Sequence, residues 1–121
     1  MFEGFDDPQY TKMGLGDKRS MGPNLKWTYP EYDLLKKSVS DLLTGEIVFS
    51  SSYFKVDDSN TINIWKRTDD YEGLDLFKIE KFDGGWYTVR INEESPEWFK
   101  CDNLEGVEKF IRDRWAEATE S

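Results

Sequence analysis

The chain has 121 residues, enough for one hydrophobic core and too few for two. Its 25 acidic residues outnumber 16 basic ones and give a net charge of −9, which repels a phosphate backbone and argues against direct nucleic-acid binding. It has no histidine, which removes the commonest general base and metal ligand and every Ser-His or Cys-His nucleophile pair, and with them most hydrolase chemistries.

Charged residues make up 34% and apolar ones 37%, a balance that leans toward disorder unless the apolar part is unusually effective. Five Trp, six Tyr and eight Phe make it so, because each ring buries a large area from a single position. Residues 1–30 sum to zero charge, so the acidic excess belongs to residues 31–121. Cys101 is the single cysteine, so no intrachain disulfide forms and a reducing compartment is expected. The opening Met-Phe-Glu-Gly-Phe-Asp-Asp lacks the basic start and apolar run of a signal peptide, and no window reaches the roughly 18 apolar residues of a membrane span. The expectation is a soluble, cytoplasmic protein.

Residues 1–27 carry Gly4, Pro8, Gly14, Gly16, Gly22 and Pro23, with Phe2, Phe5, Tyr10, Met13, Leu15 and Met21 at neither helical nor strand period. This predicts an irregular N-terminal arm, with one α+β domain over 28–121. The isolated apolar side chains are either those of a loose terminus or anchors that dock on this domain or on a partner.

Thr28 and Glu31 have capping-box spacing and Pro30 suits a first turn, so a helix starts here. Tyr32, Leu35, Val39 and Leu42, with Leu43 beside them, form its apolar stripe, and Gly45 is the expected stop. From Glu46 to Cys101 the composition turns β-branched and aromatic, which predicts a four- or five-stranded antiparallel meander. The strands are placed at Ile47–Val56, Thr61–Arg67, Leu74–Phe82, Trp86–Asn92 and Glu97–Cys101. Asp57–Asn60 and Asp83-Gly84-Gly85 are the expected tight turns, since Asn and Gly tolerate positive φ.

Alternation assigns the faces. Tyr87, Val89 and Ile91 share one side of their strand, and Ile62 and Ile64 make a similar side in theirs. The other face collects Trp65, Arg67, Trp86, Thr88 and Arg90, a row that either contacts a partner or lies under the arm. The final helix starts at a capping box read as Asp102 with Glu105, and its stripe is Leu104, Val107, Phe110, Ile111, Trp115 and Ala118. Its outer side pairs Glu105 with Lys109 and Glu108 with Arg112. Both helices are expected on the apolar face of the sheet.

Little of this carries chemistry. A lone cysteine without a basic activator reads as packing. Gly14, Gly16 and Gly22 form no nucleotide loop, and Asp57-Asp58-Ser59-Asn60 lacks the ligand spacing of a calcium loop. No cofactor and no catalytic residue are expected, and Glu105, Glu108 and Asp113 are the carboxylates a metal reading would have to use. Stacking of single-stranded bases on Trp65 and Trp86 conflicts with the net charge. The sequence therefore points to a small acidic protein-binding module, an inhibitor or accessory protein that occupies a basic site on another protein. Phage and mobile-element accessory proteins of this size and charge are an analogy of type only. The partner-binding candidates are Trp65, Arg67, Trp86, Arg90, Glu105, Glu108 and Asp113. The alternative is a structural subunit whose N-terminal arm docks on a neighbour and drives self-association.

Overall fold

The computed structural model describes residues 10–13, 25–51, 60–67, 74–91 and 97–119. It is a mixed α+β fold with one six-stranded antiparallel sheet. The strands are β1 (Tyr10–Met13), β2 (Ile47–Ser51), β3 (Ile62–Lys66), β4 (Leu74–Phe82), β5 (Trp86–Ile91) and β6 (Trp98–Cys101), in the spatial order β1-β6-β5-β4-β3-β2. The helices are α1 (Tyr29–Ser38), α2 (Leu104–Asp113) and α3 (Trp115–Thr119).

Strands β2 to β6 follow one another as a meander, and its β4–β5 hairpin turns at Asp83-Gly84-Gly85 as expected. Gly84 (φ 98°) and Gly85 (φ 84°) both lie in the left-handed region, where a side chain would be strained. The expected strand at 74–82 is found with those bounds. Of the expected turn Asp57–Asn60, Asn60 is left-handed (φ 45°) and residues 57–59 lie outside the described residues, as do residues 52–56 and Asn92 of the expected strands.

The sixth strand corrects the expectation of four or five. Tyr10–Met13, four residues inside the segment read as irregular, pair antiparallel with β6, Tyr10 opposite Cys101 and Met13 opposite Trp98. Four residues are too few to show a period in the sequence, and it is the unsatisfied edge of β6 that selects them. Trp27 is a second correction, because it is buried to 1% exposure and stacked on Tyr87 at 5.3 Å. Leu25, also in the arm, forms an antiparallel bridge with Lys81, its amide donating to the Lys81 carbonyl at 2.7 Å, while residues 1–9 and 14–24, with Phe2, Phe5, Leu15, Met21 and Gly14, Gly16 and Gly22, lie outside the described residues.

The core forms on one sheet face. Cross-strand partners share a face, so Ile79, Val89 and Phe99 stand side by side, as do Ile64, Phe77 and Ile91. These join Leu35 of α1 and Val39, which caps its end, with Val107, Phe110 and Ile111 of α2 in one buried cluster. A bulge admits one further residue: Ile64 faces Phe77 while Trp65 faces Asp75, and the extra residue Leu76 is buried alongside Phe77.

Helix α1 begins as expected, with Thr28 accepting from the Glu31 amide and Glu31 bonding back to Thr28. It ends earlier, at Ser38, and a 3-10 turn over Ser40–Leu42 carries the stripe onward, leaving Leu42 and Leu43 packed at the edge of the core. Gly45 is not left-handed, so the helix stops without a glycine cap. The cap of α2 is Asn103, whose side-chain oxygen accepts from Gly106 at 2.8 Å, rather than Asp102. The last helix also breaks at Arg114, and α3 then sets Trp115 flat against Phe77 at 6.0 Å between ring centres.

Candidate functional site

The sequence-derived candidates fall on opposite sides of the sheet. Trp65, Trp86 and Arg90 stand on the face away from the helices, and Arg67 follows one residue after β3 and is exposed. Glu105, Glu108 and Asp113 lie along α2 on the helix side. One compact interface cannot use both sets.

On the sheet face the side chains are half-buried and engaged with one another. Trp86 stacks on Phe82 at 4.8 Å, Lys100 lies over Trp86 at 4.9 Å, and Arg90 lies 6.0 Å from the centre of Trp98. The Trp65 indole donates to the Ser50 hydroxyl at 3.2 Å. Thr88, fully buried, donates to Glu80 at 3.4 Å. The row of aromatics and cations is real, and a large part of its interaction capacity is spent within the chain.

On the helix side most charges are also paired. Arg112 grips Asp41 with both terminal nitrogens (3.0 and 2.7 Å), donates to the Ser38 carbonyl at 2.7 Å and reaches Glu108 through Nε at 3.1 Å. This fork ties the end of α1 to α2, holding the Asp41 carboxyl below its usual range and raising the Arg112 guanidinium. Asp113 accepts from the Tyr10 hydroxyl at 3.0 Å and pairs with Lys109 at 3.5 Å. The expected Glu108–Arg112 pair forms, but Lys109 turns to Asp113 instead of Glu105. Glu105 is exposed and left without an ion pair among the described residues.

Glu105, Glu108 and Asp113 share one shallow surface with Lys109 and Arg112. Among the described residues, no group of three or more His, Cys, Asp or Glu is arranged to hold a metal ion. The described residues hold 13 acidic and 13 basic side chains, so the excess of nine acids falls at positions outside them.

The feature that sequence reasoning missed lies between the helices. A cleft of about 220 Å³ runs between the last turn of α1 and the first of α2, lined by Leu34, Leu35, Ser38, Leu104, Glu105 and Glu108. Leu34 is 59% exposed, with Tyr29 and Leu25 the other exposed large apolar side chains among the described residues. Its position off the Tyr32-Leu35-Val39 stripe was the available signal, since a leucine there has no core to enter.

A second polar junction sits at the other end of α1. Glu31 accepts from Lys81 at 2.6 Å and from the Tyr87 hydroxyl at 3.3 Å, as well as capping its own helix. Partial burial pushes the Glu31 carboxyl up, but hydrogen bonds from Lys81 and Thr28 outweigh it and the net shift is downward. Burial and the neighbouring Glu31 charge push the Tyr87 phenol up to about 12. Cys101 is fully buried and its thiol is pushed up to about 12, first by desolvation and then by Asp102, so it stays protonated and unreactive near neutrality.

None of the described helices is long and apolar enough to cross a membrane. Comparison with protein-family models, curated proteins and solved structures finds no match for this chain.

Proposed function

We propose that this chain is a small, non-catalytic, cytoplasmic protein-binding module that occupies a basic site on a partner protein, as an inhibitor or accessory protein does. The observation that carries this reading is the pairing, in the lining of one cleft, of an exposed leucine, Leu34, with the carboxylate of Glu105, which has no ion pair among the described residues. An apolar anchor beside an unpaired charge suits a protein surface: the leucine gains by leaving water, and the carboxylate selects a cation and rejects an anion. The net charge of −9 adds long-range attraction toward a basic partner. Small acidic phage-type proteins that block nucleic-acid-binding enzymes offer an analogy of type for such a role.

Affinity capture of a tagged protein from its native lysate, at low and at high salt, tests the reading. A basic protein held at low salt and released at high salt is expected, with retention reduced when Glu105, Glu108 and Asp113 are reversed to Lys. Asp113→Lys also removes the acceptor for the Tyr10 hydroxyl, so Glu105→Lys alone is the cleaner variant. Equal retention by wild type and variants sinks this placement of the interface.

A second reading, a structural subunit, is favoured by β1, which sits at the end of the described strand order and, among the described residues, pairs with β6 alone. A terminal strand held on one side is the kind of element that a second copy can donate. On this reading, light scattering shows a dimer that disappears when residues 1–13 are deleted, and a monomer at all concentrations rules it out.

A further inference from the structure

Resting on the binding role proposed above, the geometry points to a single recognition element for the cleft between α1 and α2: an arginine side chain projected by the partner protein. The size of the cleft argues for a side chain. At about 220 Å³ it falls below the roughly 300–1,000 Å³ of small-molecule sites. Its lining is of two kinds, with Leu34, Leu35 and Leu104 apolar and Glu105 and Glu108 acidic, beside Ser38. A long side chain with an apolar stem and a cationic head matches that division.

The sign of the charge is set by the carboxylates. The cleft lies beside the C-terminal turn of α1 and the N-terminal turn of α2, whose dipole ends are opposite in sign and offset one another. Among the described residues Glu105 has no ion pair, and Glu108 gives only Oε2 to Arg112, leaving Oε1 to accept. Lysine would satisfy the charge, but a guanidinium is less strongly hydrated and presents several donors in one plane, so it can bridge Glu105 and Glu108 while its stem lies on leucine. Arg112 stands on the other side of Glu108 and is held there by Asp41 and Ser38, so an incoming guanidinium completes an Arg-Glu-Arg row without displacing it.

The test is a two-dimensional amide NMR titration of the full chain with the capped tetrapeptide Ala-Arg-Leu-Ala, and with the same peptide carrying Lys or Glu in place of Arg. The expected result is saturable shifts at Leu34, Leu35, Ser38, Leu104 and Glu105. The Arg peptide should bind more tightly than the Lys peptide and at least about tenfold more tightly than the Glu peptide, since reversing the charge turns attraction into repulsion. Leu34→Gln, at an exposed position, should keep the dispersed spectrum of the folded protein and lose those shifts. Shifts spread over carboxylates everywhere, no shifts at all, or an unchanged response in Leu34→Gln overturn the inference. A captured partner that is lost on Glu105→Lys but fully retained by Leu34→Gln leaves the binding face standing and removes the arginine anchor.

Discussion

The two sides of the molecule spend their charges differently. On the sheet face the cations Arg90 and Lys100 lie over the indoles of Trp98 and Trp86, and Trp86 itself rests on Phe82. On the helix side Arg112 and Lys109 consume most of the carboxylates, yet Glu105 and Leu34 remain outward beside a cleft. Residue type alone would favour the sheet face as the interface, because Trp and Arg are the side chains that dominate binding energy. What decides is whether a group still has interactions to make, and on that measure the helix side is the better equipped.

Five substitutions sharpen this contrast, taken in order of decreasing cost to stability. Phe110→Ala removes a fully buried ring that touches Tyr10, Phe77 and Phe99, and should cost about 3–5 kcal/mol in urea unfolding. Trp115→Ala, at a half-buried ring, should cost less than Phe110→Ala. Glu31→Ala strands the Lys81 ammonium, the Tyr87 hydroxyl and the Thr28 amide at a part-buried junction, for a loss of about 1–3 kcal/mol. Trp86→Ala breaks one ring stack and one cation contact and should cost about 1–2 kcal/mol while leaving partner affinity unchanged. Glu105→Lys should do the reverse, moving the thermal midpoint hardly at all while weakening partner binding at low salt. Loss of binding in Trp86→Ala together with full binding in Glu105→Lys would transfer the interface to the sheet.

The pH dependence follows from the same junctions. Glu31 has a lowered pKa, so its contribution is present above the ordinary carboxylate range and is lost as pH falls through the folded value. Tyr87 and Cys101 are raised to about 12, so their contributions are present below the ordinary phenol and thiol ranges and are lost as pH rises toward the folded value. Chemical denaturation from pH 3 to 11 should therefore show a plateau through neutrality with loss on both flanks. Tyr87→Phe should flatten part of the alkaline flank.

Legibility in the sequence followed how local the determining interaction is. The β4–β5 hairpin was readable because Gly84 and Gly85 set its turn and the pattern of its strands is unbroken. The cap of α1 was readable because Thr28 and Glu31 act within one turn. Tyr10–Met13 and Trp27 were not, since one is a strand only because β6 offers an edge and the other is core only because Tyr87 lies beneath it. The cap of α2 was misplaced because Asp102 and Asn103 are adjacent and both suit the role, and only the bond to Gly106 decides between them. Of the candidate site residues, the sequence showed which side chains share a helix or strand. It could not show that Arg112 would bridge to Asp41, 71 positions away, or that Leu34 would border a cleft with Leu104.

We propose that a partner binds on the helix side, at Glu105 and the neighbouring cleft. Carboxyl footprinting of the captured complex against the free protein measures this directly, by labelling accessible acids and reading each one by mass spectrometry. Labelling at Glu105 and Glu108 should fall in the complex while Glu80, on the opposite sheet face, is unchanged. Protection of Glu80 with Glu105 still fully labelled would contradict the claim and place the partner on the tryptophan-rich side.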